Sequence, residues 1–210
     1  MTVIAVTNPK GGVGKSTLAT NLAGYFASCG HKVMLGDVDR QQSSRTWLAM
    51  RPAGLPRIES WEVSHGEIVK PPKGTTHVVL DTPAGLHGKR LDEVMRIADR
   101  LLIPIQPSIF DIHASSQFVR ELLAHRRSDR VSIAIVGMRT REGTLSTDQL
   151  RNFLEGMSVP LLGFIRDTQN YVHLAAHGLT LWDVGASRFD RDRAQWEPII
   201  RWLDPRGRSA

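Results

Sequence analysis

The sequence predicts an α/β protein: a mostly parallel, twisted sheet with helices on both faces. Three observations predict it. Short β-rich runs alternate with helically spaced runs along the chain, the pattern of repeated strand–helix–strand units. The strand-like runs, Val131–Gly137 above all, are almost uninterrupted apolar sequence, as strands covered on both faces are. The first such run also leads through a glycine-rich turn straight into a helical pattern.

Element by element, Val3–Thr7 reads as the first strand, and Ser16–Ser28 as a helix with Leu18, Leu22 and Phe26 on one side. Lys32–Val38 is the next expected strand, Ser43–Met50 a short helix and Arg57–Val63 an edge strand. Pro71, Pro72, Lys73 and Gly74 mark a loop. His77–Asp81 is an expected buried strand ending in an acid. Leu91–Ala98 is expected as a helix, Arg100–Pro104 as a strand, and Ile112–Arg126 as a helix presenting Phe118, Leu122 and Leu123. Val131–Gly137 is then a strand, Thr147–Met157 a helix, Leu161–Ile165 a strand and Asp192–Leu203 a terminal helix.

The 210 residues, 41% of them hydrophobic, suit one domain over residues 1–210 with a real core. No apolar run approaches the roughly 18 residues of a membrane-spanning helix. Residues 1–7 lack the basic start and cleavage site of a signal peptide, and the first strand begins at residue 2 or 3, so no preceding domain is expected. Cys29 is the single cysteine; a disulfide framework is excluded, a reducing cytosol is the expectation, and Cys29 itself reads as a small buried filler. The formal charge is +6, with 21 Arg against 6 Lys. Arginine suits phosphate contact, so a polyanion is a plausible partner.

The chemistry concentrates at Lys10, Gly11, Gly12, Val13, Gly14, Lys15, Ser16 and Thr17, between a strand and a helix, the context that a phosphate-binding P-loop requires. Glycines let successive backbone N–H groups turn toward phosphate oxygens, and the helix N-terminus adds its positive dipole end. Lys15 is expected on the β- and γ-phosphates, the Ser16 hydroxyl on Mg²⁺ and Thr17 at the α-phosphate. Chance occurrence of the six fixed positions is on the order of 10⁻⁷ per start position.

This segment resembles the deviant Walker A box of the ParA/MinD superfamily of P-loop NTPases, marked by an extra lysine at Lys10. The resemblance implies that Lys10 crosses a nucleotide-sandwich homodimer to the partner's ATP, with Gly11 at the point of closest approach. Pro9 stands where a standard Walker A box has Gly.

Two acidic motifs follow in order. Asp37, Val38, Asp39, Arg40 and Gln41 resemble the family's Asp-x-Asp-Pro-Gln segment, with Arg40 in place of Pro. By that resemblance Asp39 positions the attacking water and Asp37 supports the Mg²⁺ shell; an Asp capping the helix Ser43–Met50 accounts for the same segment. His77–Asp81 is a Walker B strand that delivers Asp81 to the C-terminal edge of the sheet, where ligands bind in open α/β folds. Asp81 is expected to hold Mg²⁺ through water, and Gly85 to free the next loop to sense the γ-phosphate.

In the second half, residues 104–108 look like the Pro-x-x-Pro-Ser segment of small, ParF-like ParA proteins. Met138 and Arg139 stand where the family has a polar pair near adenine, and Arg166 and Asp167 resemble its late adenine-side loop. Arg139, Arg166 and Asp167 are therefore nucleotide-binding candidates by resemblance. His173 and His177 are spaced i, i+4 with no third ligand evident, and read as a helix-surface pair. Trp196, Ile199, Ile200 and Leu203 form an apolar stripe that fits core packing; the alternative is a MinD-like membrane-cycling helix.

The resemblance implies a cytoplasmic, nucleoid-associated partition or positioning ATPase using ATP and Mg²⁺. Its ATP-bound homodimer would bind DNA without sequence preference, and a ParB-like or adaptor protein would stimulate slow hydrolysis. No stable membrane insertion is expected. Between Arg120 and Arg151 seven Arg face four acids, +3 in all, a distribution suited to phosphate contact.

Overall fold

A computed structural model describes residues 1–61, 71–185 and 187–204. Seven strands form one sheet in the order β3-β2-β4-β1-β5-β6-β7, and every pairing is parallel. The strands are β1 (Thr2–Val6), β2 (Val33–Asp37), β3 (Ile58–Trp61), β4 (His77–Asp81), β5 (Arg100–Ile105), β6 (Ser132–Thr140) and β7 (Leu161–Arg166). The helices between them are α1 (Lys15–Ser28), α2 (Ser43–Met50), α3 (Lys89–Ile97), α4 (Ile109–Leu123), α5 (Leu145–Glu155), α6 (Gln169–Ala175), α7 (Asp190–Ala194) and α8 (Glu197–Leu203).

The alternation of strand side chains divides the core into two layers. Ile4 and Val6 of β1 pack with Leu18, Leu22 and Phe26 of α1 and with Trp196, Ile199 and Leu203 of the C-terminal helices. Their neighbours Val3 and Ala5 face the other way, onto Leu91 and Met95 of α3, Phe118 and Leu122 of α4, and Leu150 of α5. Both faces are thus covered, as the near-continuous apolar runs require. β3 is an edge strand, as expected; the last two residues of the expected run Arg57–Val63 lie outside the described residues.

Two expectations are corrected. Cys29 is exposed rather than a buried filler, because it follows the last turn of α1 instead of lying within it. The expected helix Asp192–Leu203 is two short helices, α7 and α8. Pro198 explains the break: its nitrogen cannot donate to the carbonyl of Ala194, four residues back, and its ring crowds that carbonyl. At the break, Gln195 Oε1 accepts from Arg166 N (3.0 Å) and Trp196 Nε1 donates to Tyr171 OH (2.9 Å).

The apolar stripe of the C-terminal segment faces inward. Trp196, Ile199 and Leu203 are buried and Ile200 is half-buried against the same core. The surface a membrane-cycling helix would present is therefore occupied by core packing. Among the described residues no helix is long and apolar enough to cross a membrane.

His77 starts β4 at the end of the sheet away from the phosphate loop. Its ring stacks on Phe26 (centroids 4.1 Å apart) and lies 4.4 Å from His31. Burial, then the neighbouring His31, pushes its pKa down to about 4. The unfolded chain therefore takes up a proton near pH 6.5 that the folded chain refuses until about 4, so this residue's contribution to stability is lost as pH falls through that window. Urea unfolding at pH 7 and pH 5 should show a smaller loss of stability for His77→Phe than for the parent; equal losses would contradict this assignment.

Candidate functional site

β1, β2 and β4 end side by side, and the loops that follow them surround one open cavity of about 640 Å³. Its lining includes Gly11, Gly12, Gly14, Lys15, Ser16 and Thr17 from the first loop and helix. Asp39, Arg40, Gln41 and Ser43 come from the loop and helix after β2, and Pro83, Ala84 and Arg90 from the loop and helix after β4. Arg139 joins from the end of β6.

The phosphate loop has the curled shape its sequence predicts. Gly14 sits at φ 95, a left-handed conformation that a side chain strains. A Cβ there would also meet Met138 Cε at 2.8 Å, so Met138 forms the floor beneath the loop. Asn8, fully buried, anchors the loop from below. Its Nδ2 donates to Pro104 O (2.8 Å) and Ser115 Oγ (2.9 Å), while its Oδ1 accepts from Lys10 N (2.8 Å). Gln106 Nε2 donates to Gly12 O (2.8 Å) from the same β5–α4 segment. From the β4 side, Gly85 N donates to Pro9 O (2.9 Å); Gly85 has φ 71, which again favours glycine.

Lys15 is buried, and its Nζ donates to Lys10 O (2.6 Å). Burial lowers its pKa, against the attraction of Asp81 and Asp39. Asp81, at the end of β4, is also buried. Burial pushes its carboxyl up to about 6, while the Ser16 and Ser44 hydroxyls and the Lys15 ammonium favour its charged form. Ser44 Oγ donates to Asp81 Oδ2 (2.5 Å), yet Asp81 Oδ1 is buried with no hydrogen-bond partner. A buried carboxylate oxygen without a donor is costly, and a hydrated cation next to Ser16 would satisfy it. The residues present thus fit a divalent ion held by Ser16 and Asp81.

Asp37 has a different place. Its Oδ1 accepts from Asp39 N (3.0 Å) and its Oδ2 from Arg45 N (3.1 Å), in the first turn of α2. It does not line the cavity; it shapes the loop that presents Asp39, which does. Arg166 and Asp167 also lie outside the lining. Arg166 pairs with the fully buried Asp192 (Nε–Oδ1 2.5 Å) and Asp167 with Arg141 (2.6 Å), so both act in holding α7 and the loop after β6. Of the adenine-side candidates only Arg139 reaches the cavity, at φ 52. His173 and His177 are exposed neighbours on α6, with ring centroids 4.9 Å apart. Among the described residues no three metal-ligating side chains cluster.

Sequence reasoning assigned no role to Asn8, Gln106, Ser44 or Arg90. A polar Asn closing an apolar strand is the one readable signal; Ser44 and Gln106 act across 37 or more residues of chain, and Arg90 lines the cavity with no local pattern to mark it.

A parallel sheet that ends in this cradle defines a P-loop nucleotide-binding protein. Residues 4–181 match the CobQ/CobB/MinD/ParA nucleotide-binding domain, and the chain belongs to that family. It is 32% identical over 206 residues to the maintenance of carboxysome distribution protein A of Gloeobacter kilaueensis, covering 96% of this chain and 94% of that one. Among solved structures it resembles the MinD cell division protein of Aquifex aeolicus (TM-score 0.75, 20% identity, 100% and 99% of the two chains). It also resembles an ATP complex of McdA from Cyanothece (TM-score 0.69, 16% identity, 95% and 96%). At these identities the two structures speak for the fold.

Replacing Asn8 with Ala leaves Lys10 N, Pro104 O and Ser115 Oγ without their partner. The expected cost is about 2 kcal/mol of unfolding free energy, together with weaker nucleotide binding, read by urea denaturation and by nucleotide titration. An unchanged midpoint would show that the loop does not depend on this anchor.

Proposed function

We propose that the chain is an ATP-hydrolysing positioning ATPase that acts as an ATP-bound sandwich dimer. The observation that carries the reading is the place of Lys10. It adjoins the exposed Gly11 and Gly12, does not line its own cavity, and forms no ion pair among the described residues. A Cβ added at Gly11 meets nothing within 4 Å, so the loop presents an open face that a second copy can cover. A lysine outside its own site and beside that face suits reaching the partner's nucleotide.

Within the cavity each residue has a defined task. Backbone N–H groups of residues 11–16 and the N-terminus of α1 receive the phosphates, and Lys15 neutralises the β- and γ-phosphates. Ser16 and Asp81 would hold Mg²⁺, which lowers the charge opposing attack when bound. Asp39 orients a water toward the terminal phosphorus, and the bond to the β-phosphate oxygen breaks to give ADP and phosphate. Gly85, bonded to Pro9 O, links the loop after β4 to the phosphate loop, so loss of the γ-phosphate is felt by α3.

The surface supports a DNA partner. Arg141, Arg166, Arg191 and Arg193 are all ion-paired. Arg120, Arg126, Arg127 and Arg130, at the end of α4 and the turn after it, have no acidic partner among the described residues. This cluster suits phosphate contact without base readout. A ParB-like or adaptor protein is the proposed stimulator of hydrolysis. The similarity to a carboxysome-distribution protein favours a large protein assembly as cargo.

Gel filtration and DNA retention with AMPPNP or ADP test the reading. The parent should dimerise and retain DNA with AMPPNP alone. Gly11→Val should keep nucleotide binding and lose both properties. Equal DNA binding with either nucleotide would refute the proposal. Arg126→Glu with Arg130→Glu should weaken DNA retention and flatten its dependence on salt, with basal ATP turnover preserved.

A further inference from the structure

Three guanidinium groups reach the cavity from three separate elements: Arg40 after β2, Arg90 in the first turn of α3, and Arg139 at the end of β6. All three are exposed, and none has an ion pair or hydrogen bond among the described residues. Their surroundings are different, since Arg141, Arg166 and Arg191 are each tied to an acid. Unpaired cations converging on one cavity with Lys15 favour an anion of high charge there.

The topology separates the three. β4 lies between β2 and β1, while β6 lies beyond β5 on the other side of β1. Arg40 and Arg90 therefore flank the side of the phosphate loop that carries Asp39 and Asp81, whereas Arg139 stands on the opposite side. On the nucleotide reading, the cation and the terminal phosphate would sit near Asp81, whose Oδ1 is buried without a partner. Arg40 and Arg90 are the two guanidiniums on that side. Arg40 is also the position at which this chain departs from the Asp-x-Asp-Pro-Gln pattern.

We propose that Arg40 and Arg90 read the terminal phosphate, so that the cavity distinguishes a nucleoside triphosphate from a diphosphate. This rests on the reading of the cavity as a nucleotide site. A triphosphate offers the outer oxygens and extra charge that a planar, fixed-charge guanidinium pairs with bidentately; a diphosphate ends short of them. Because Arg40 follows Asp39 and Arg90 lies in the first turn of α3, the contact also ties the loop after β2 and the helix after β4 to the same group. The two residues act as specificity determinants alongside Lys15.

The test is titration of the full chain with AMPPNP and with ADP, each with Mg²⁺, for the parent, Arg40→Ala, Arg90→Ala, the double variant, and Arg90→Lys. Lys73→Ala, in the exposed loop before β4 at the other end of the sheet, controls for net charge. The parent should prefer AMPPNP. Each alanine variant should lose about tenfold in AMPPNP affinity with ADP affinity changed less than about twofold, which also shows that the variants are folded. Arg90→Lys should recover only part of the loss, and Lys73→Ala should match the parent. Parallel losses for both nucleotides, or no loss, would overturn the proposal. A parent that binds the two equally would overturn it and leave the nucleotide site standing, whereas a parent that binds neither would overturn the site reading as well.

Discussion

The amide of Asn8 holds the phosphate loop at three points: the backbone of Lys10, the end of β5 at Pro104, and Ser115 on α4. The rest of the site depends on this tether. A loop with positive φ at Gly12 and Gly14 turns its N–H groups toward the ligand rather than toward one another, so it gives up the internal bonds that would hold its shape. The shape must be imposed from outside. Asn8 and Gln106 do this from the β5 side, Gly85 from the β4 side, and Met138 from below. Each support lies at the C-terminal edge of the sheet, which is why the strand order β2-β4-β1-β5-β6 matters for function.

The electrostatics follow from the same placement. Lys15 and Asp81 are both buried, and burial acts against the charged form of each. Phosphates beside Lys15 and a hydrated cation beside Asp81 would offset that cost. The unpartnered Asp81 Oδ1 is the local sign of this. Three acids outside the cavity are instead paired within the chain: Asp183 with Arg51, Asp192 with Arg166, and Asp167 with Arg141.

The sheet, α1 and the cradle were legible because their signals are local. Apolar runs such as His77–Asp81 mark buried strands, and glycine at fixed spacing marks the phosphate turn. α2 and β4 match their expected bounds. What escaped was set by contacts distant in sequence. The break between α7 and α8 was readable from Pro198, whereas the hold of Arg166 on Asp192 and of Asp37 on α2 was not. Resemblance placed Arg166 and Asp167 at the nucleotide, but the fold engages both in ion pairs of its own. α6 had a weak local signal, Thr168 as cap with Tyr171 and Leu174 buried three apart, which the surrounding polar residues obscured.

If nucleotide phosphates fill the loop at residues 8–17, its hydrogen bonds to the β5–α4 and β4–α3 segments should carry their effect to both. Hydrogen–deuterium exchange with and without AMPPNP and Mg²⁺ measures it directly. Protection is expected in residues 8–17 together with residues 81–90 and 104–116. Protection confined to other surfaces, or none at residues 8–17, would contradict it.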